Sequence, residues 1–134
     1  MKFLIAYFVT ALVFLIIDYI WLGFVMKDYF QSQLKHLMAD EVNFSIAALF
    51  YLFYAAGVVY LCINPALVEG DWTKALINGA ILGFLAYGAY DVTNAATLRD
   101  WPIPMSIIDV AWGTGLTALS AVAGYFAVSN YLSS

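Results

Sequence analysis

A chain of 134 residues that is 65% hydrophobic and only 10% charged is far from a soluble domain, which runs at about 45–50% apolar and about 25% charged. Its net charge of −4 excludes a nucleic-acid binder, which displaces counterions with basic residues, and a polybasic attachment to anionic lipid. Apolar stretches of roughly 20 residues, enough to cross a bilayer, recur along it. The expectation is therefore an all-α membrane protein: four transmembrane helices in an antiparallel bundle, forming a single domain over residues 1–134.

The first span is predicted over residues 3–26. Lys2 gives a short basic start, but the apolar run is long and lacks a small-residue cleavage site. It reads as a retained helix and not as a signal peptide. Inside it stands "DYIWLG", residues 18–23, with Asp18 set among residues that prefer oil. The first link, "KDYFQSQLKHLMADEV", places Phe30, Leu34, Leu37 and Met38 at i, i+4, i+7 and i+8, one apolar stripe. Lys27, Gln31 and Lys35 lie elsewhere on that wheel. A short helix resting in the headgroup region fits the pattern; the plainer alternative is a polar loop with incidental leucines.

The second span is predicted over 44–62, closed by Asn64-Pro65 because proline cannot continue a helix. The third covers 73–98, with Asp71 or Thr73 as its N-cap. The turn "RDWPIP" ends it, and the fourth span covers 105–131. Short links make the second and third spans, and the third and fourth, antiparallel neighbours. Lys27, Lys35 and Arg99 at one end, against Lys2 and Lys74 at the other, narrowly favour a cytoplasmic position for the first and third links.

Three aspartates fall within the spans: Asp18 near the end of the first, Asp91 near the end of the third and Asp109 near the start of the fourth. Alternating topology assigns all of them to one side of the membrane, on the order of 5–12 Å in from their helix ends at 1.5 Å per residue. Each has company. Tyr87, Asp91 and Asn94 share a helical face with Ala80, Phe84 and Gly88; Asp109, Gly113, Thr117, Ser120 and Gly124 form a stripe of small and polar residues. Such a stripe lets membrane helices approach closely, and Gly79-x-x-x-Gly83 is a second contact of this kind. Asp18-x-x-Trp21 is echoed by Asp109-x-x-Trp112 in "DVAWG". Those two helices run in opposite directions, so the echo reads as shared local chemistry and not as a tandem repeat.

A charged aspartate at the centre of a membrane helix costs about 3 kcal/mol or more, so these side chains should face the bundle interior and find partners. Two carboxylates in one low-dielectric site cannot both ionise cheaply, which leaves a proton available. Asp18, Asp91 and Asp109 are therefore the candidate acid–base residues, with Trp21, His36, Tyr51, Tyr87, Asn94 and Trp112 as candidate ligand contacts. Arg99, Lys27, Lys35 and His36 are candidate counter-charges.

Each has a plainer reading. Asp109 can serve the dipole and free amides of a helix start, and Asp91 with Asn94 can be a packing hydrogen bond. Trp72 and Trp101 read as interfacial anchors, His36 as a solvated side chain and Cys62 as a small apolar residue. Three aspartates and an asparagine suit a hard cation, but one histidine and one cysteine leave no zinc set; no metal is assigned and no cofactor is indicated.

Taken together, "DYIWLG", "QLKHL", "LFYLFYAAG", "YDVTNAATLRDWP" and "DVAWG" resemble a family of small bacterial membrane proteins, domain of unknown function twenty-one seventy-seven. The matching positions are Asp18, Trp21, His36, Asp91, Thr93, Asn94, Trp101, Pro102, Asp109, Trp112 and Gly113. The resemblance implies four transmembrane helices in a bacterial inner membrane and carries no activity with it.

Three functions remain open on this reading. The first is a binding or acid–base site for a lipid or small lipophilic molecule, beside an aromatic-lined pocket. The second is a proton- or cation-coupled transporter acting as an oligomer. The third is an accessory subunit of a membrane complex, whose polar seam only specifies packing.

Overall fold

Four helices long and apolar enough to cross a membrane account for nearly all of the computed structural model, which describes residues 2–21 and 44–133. They are α1 (Lys2–Ile20), α2 (Phe44–Val58) running through a π turn (Val59–Ile63) into α3 (Asn64–Glu69), α4 (Trp72–Thr97) and α5 (Ile103–Ser133). No strand occurs among the described residues, in keeping with the all-α membrane bundle expected from composition. The amphipathic helix expected in the first link, His36 included, lies outside the described residues.

The second span corrects the expectation that Asn64-Pro65 would close it: the helix continues to Glu69. Two local features make this tolerable. The π turn absorbs the irregularity, with the Asn64 amide donating to the Val59 carbonyl. Pro65 then falls in the first turn of α3, where a missing N–H costs little. One carbonyl still loses its ordinary partner, since Leu61 lies four residues before the proline. Asn78 of α4 supplies the donor, Nδ2 to the Leu61 oxygen at 3.2 Å. The span stops at Gly70, whose φ of 67° is left-handed and suits a residue without a Cβ.

Asp71 follows as the N-cap of α4, accepting from the Thr73 amide at 3.0 Å and the Thr73 hydroxyl at 2.6 Å. Those two hydrogen bonds favour the ionised form and hold the Asp71 carboxyl below the usual aspartate range. Helix α5 starts at Ile103, two residues earlier than the spacing predicted. Asp100, at a φ of 61°, makes the preceding turn; aspartate tolerates this region better than most residues.

Helix α5 is the centre of the bundle, packed chiefly on α4 and α1 and also on the π turn. The α4–α5 seam is set by glycine. A Cβ at Gly79 would stand 2.8 Å from the Ala118 Cα, and one at Gly83 would run into the Gly113 carbonyl and Thr117. At the α1–α5 seam, a Cβ at Gly124 would collide with Thr10 and Ile63. Lipid tails are as apolar as leucine, so close packing of this kind replaces the hydrophobic effect in holding the helices together. At the same end, an apolar cluster of Ala6, Val58, Cys62, Ile63, Ala121, Tyr125 and Val128 fills the interior. The other end of the bundle is polar.

Candidate functional site

The three aspartates meet at that polar end. On α4, the stripe Gly79, Gly83, Tyr87, Asp91 advances four residues at a time, one helical face. It meets the α5 series Ala118, Thr117, Gly113 and Asp109 in antiparallel order: Gly79 against Ala118, Gly83 against Gly113 and Thr117, and the Tyr87 ring directly on Gly113. Continuing that register brings Asp91 to Asp109, and their carboxyl groups face each other. The close approach of backbone at the glycines thus dictates which acids pair.

Asp91 is wholly covered, at 0% exposure. Neither of its oxygens has a hydrogen-bond partner at proper geometry among the described residues. Asn94 does not serve it; the Asn94 side chain lies by Tyr90 instead. The expected face also needs correction, because Phe84 is 57% exposed and points away from the seam. Asp109 is the seventh residue of α5, beyond the four free amides of a helix start. Its capping explanation is therefore removed.

Asp18, 7% exposed, comes in from α1. Its Oδ1 accepts from the Trp112 indole Nε1 at 3.2 Å, and Tyr51 of α2 reaches the same carboxyl. Trp21, one turn beyond Asp18, stacks on Trp112 with centroids 4.0 Å apart and planes 8° from parallel. The two Asp-x-x-Trp segments therefore interlock: each tryptophan lies on the other, and one of them closes onto the opposite segment's aspartate. The Trp21 Nε1 is buried without a partner among the described residues. Phe14 extends the aromatic wall, 5.4 Å from both Tyr51 and Tyr54.

Of the candidate contacts, Trp21, Tyr51 and Trp112 surround Asp18, and Tyr87 lies one turn from Asp91; Asn94 stands aside and His36 is outside the described residues. Trp101 is corrected from an interfacial anchor to a packed residue, 9% exposed, with Nε1 donating to Ser106 Oγ at 2.6 Å. Trp72 remains 44% exposed. The pairing of Tyr54 with Thr117 at 2.7 Å escaped sequence reasoning, since nothing in either local pattern points to the other. Arg99 is exposed and forms no ion pair with the acids; the salt bridge among the described residues is Lys74–Glu69, 2.7 Å, at the opposite end. No group of three His, Cys, Asp or Glu among the described residues is arranged to hold a metal ion. What the arrangement offers chemically is carboxyl groups able to exchange protons beside an aromatic wall.

The sequence model of the family described as predicted membrane protein (DUF2177) matches residues 3–126, so the chain belongs to that family. No curated protein and no solved structure matches it.

Proposed function

For this member of the DUF2177 family we propose a membrane-embedded binding and acid–base site for a lipid or small lipophilic molecule, at work in a bacterial inner membrane. One observation carries the reading. The Asp91 carboxyl is fully buried and faces a second acid, Asp109, with neither of its oxygens in a well-formed hydrogen bond to any other group among the described residues. A buried polar group is normally satisfied by the protein, and an intramembrane acid left open in this way is suited to a partner from outside. Asp18, already held by Trp112, is the fixed acid–base group; Asp91 and Asp109 exchange the proton.

The test compares the lipid profile of cells expressing wild type with that of cells expressing Asp18→Asn, after confirming that the variant folds. A profile changed by wild type and restored by Asp18→Asn is expected. Cells whose lipids are unaffected by either protein would overturn the proposal.

A second reading, proton- or cation-coupled transport by an oligomer, is favoured by hydroxyls buried in the bundle interior. Thr117 and Ser120 of α5 and Thr10 of α1 are fully buried; Thr10 and Ser120 lack partners among the described residues. Gradient-driven uptake into proteoliposomes, abolished by Asp18→Asn, would establish it in place of the first. A partner that co-purifies in fixed ratio while both assays stay silent would point instead to an accessory subunit.

A further inference from the structure

Three of the four spans are fastened to one another by glycine. A Cβ at Gly79 or Gly83 of α4 would strike α5, and one at Gly124 of α5 would strike Thr10 of α1. The second span has no such contact before its π turn. A Cβ at Gly57, the glycine of α2, would meet nothing within 4 Å. Of residues 45–58, only Ala55 and Val58 are buried, both in the last turn. Toward its start α2 packs chiefly on α1.

Beyond that point the same span is anchored. Val59, Cys62, Ile63 and Ala66 enter the apolar cluster, and the Leu61 carbonyl is tied to Asn78 of α4. The boundary between the loose and anchored halves coincides with the weakest stretch of the helix: Gly57, the π turn over 59–63 and Pro65 follow one another. Sharp bends in helices occur at proline and at π turns, and single π turns recur at functional sites. A segment with few buried apolar contacts is also the part of a protein that opens most cheaply.

What the loose half covers is the acid end. Tyr51 reaches the Asp18 carboxyl, and the Tyr54 hydroxyl lies 2.7 Å from that of Thr117 on α5. An exposed bond joins α2 to α1, the Tyr7 hydroxyl donating to the Leu52 carbonyl at 3.0 Å. All three are side-chain contacts that can break without disturbing the glycine seams. Asp18 is held from α5 by Trp112 as well, so α2 can leave without releasing the acid. A bend of about 20° would swing residues 44–56 on an arm of roughly 20 Å and carry the far end by roughly 7 Å.

We propose that α2 is a gate: residues 44–56 swing on a hinge spanning Gly57 to Pro65, lift Tyr51 from Asp18 and Tyr54 from Thr117, and open the acid end sideways to the bilayer. This rests on the binding-site reading above and supplies the entry that its buried acids require.

The test is double electron–electron resonance on the full-length chain in phosphatidylcholine nanodiscs. Spin labels are carried on genetically encoded p-acetylphenylalanine, which leaves the buried Cys62 intact. One label pair joins Leu49 of α2 to Val92 of α4, and a control pair joins Leu15 of α1 to Val92; all three positions are exposed. The Leu49–Val92 pair should give two distances separated by roughly 5 Å for the same bend, and the control pair one. Tyr54→Phe should raise the ratio of long to short distances about threefold, the worth of an average interhelical hydrogen bond in a membrane protein. Gly57→Ala, which costs no contact and stiffens the helix, should lower that ratio.

A single Leu49–Val92 distance in both wild type and Tyr54→Phe would overturn the proposal. So would a ratio that Tyr54→Phe leaves unmoved, or two distances in the control pair as well. A rigid α2 with the Asp18→Asn effect on lipids intact removes the gate and leaves the acid–base site standing. A moving α2 in a protein without effect on lipids upholds the hinge and removes the site reading instead.

Discussion

Asn78 shows how one side chain answers a defect placed in another helix. Pro65 has no N–H for the Leu61 carbonyl, and Leu61 is half exposed on the lipid-facing side, where water is not at hand to substitute. Asn78→Leu is expected to cost about 0.6 kcal/mol and at most about 2 kcal/mol, the range for interhelical hydrogen bonds in membrane proteins. The cost should shrink in a Pro65→Ala background, where the backbone regains its own donor; reversible unfolding in detergent over the double-mutant cycle measures it. Asp71 behaves differently because it stands in water. Its folded-state carboxyl titrates below the unfolded one, so its contribution is complete above the ordinary aspartate range and is lost as pH falls through the lowered value. Asp71→Ala should lower Tm at pH 7, and the Tm gap to wild type should close progressively in acid. A gap independent of pH would show that the cap does not depend on its charge.

At the scale of helices, the seam between α4 and α5 is a steric register. Gly83 and Gly113 admit no methyl group without moving backbone or the Tyr87 ring, and overpacking of this kind costs about 1–3 kcal/mol. Gly83→Ala and Gly113→Ala should therefore both destabilise the protein and disturb the Asp91–Asp109 pairing. Gly115 on the same helix has nothing within 4 Å. Gly115→Ala should be neutral or stabilise by up to about 1 kcal/mol through lower backbone entropy. Melting curves for the three variants decide this, and equal losses at Gly113 and Gly115 would contradict the register. The stripe of small residues on α5 was legible from spacing alone. The matching α4 stripe was only half legible, because the helical face drawn through Phe84 and Gly88 includes residues the seam leaves outside.

Taken as a whole, the bundle puts apolar packing at one end and its acids at the other. Asp91 and Asp109 face each other in a medium that penalises two adjacent charges, so the pair is expected to share a proton at neutral pH. Infrared spectra should contain a protonated-carboxyl band that Asp91→Asn and Asp109→Asn alter and Asp71→Asn does not. Finding every carboxyl ionised and freely exchanging with solvent would sink the shared site.

Composition and hydrophobic length were enough to determine a four-span helical membrane protein, since only spans of about 20 apolar residues satisfy their own backbone in lipid. Chain order was enough to put Asp18, Asp91 and Asp109 at one end, because successive helices reverse direction. Partner choice was not written in any local pattern. That Trp112 closes on Asp18 while Trp21 stacks against it, and that Asp91 meets Asp109, depend on how far apart neighbouring backbones lie. That distance is set by close glycine contacts between helices remote in sequence, so only the tertiary structure could reveal it.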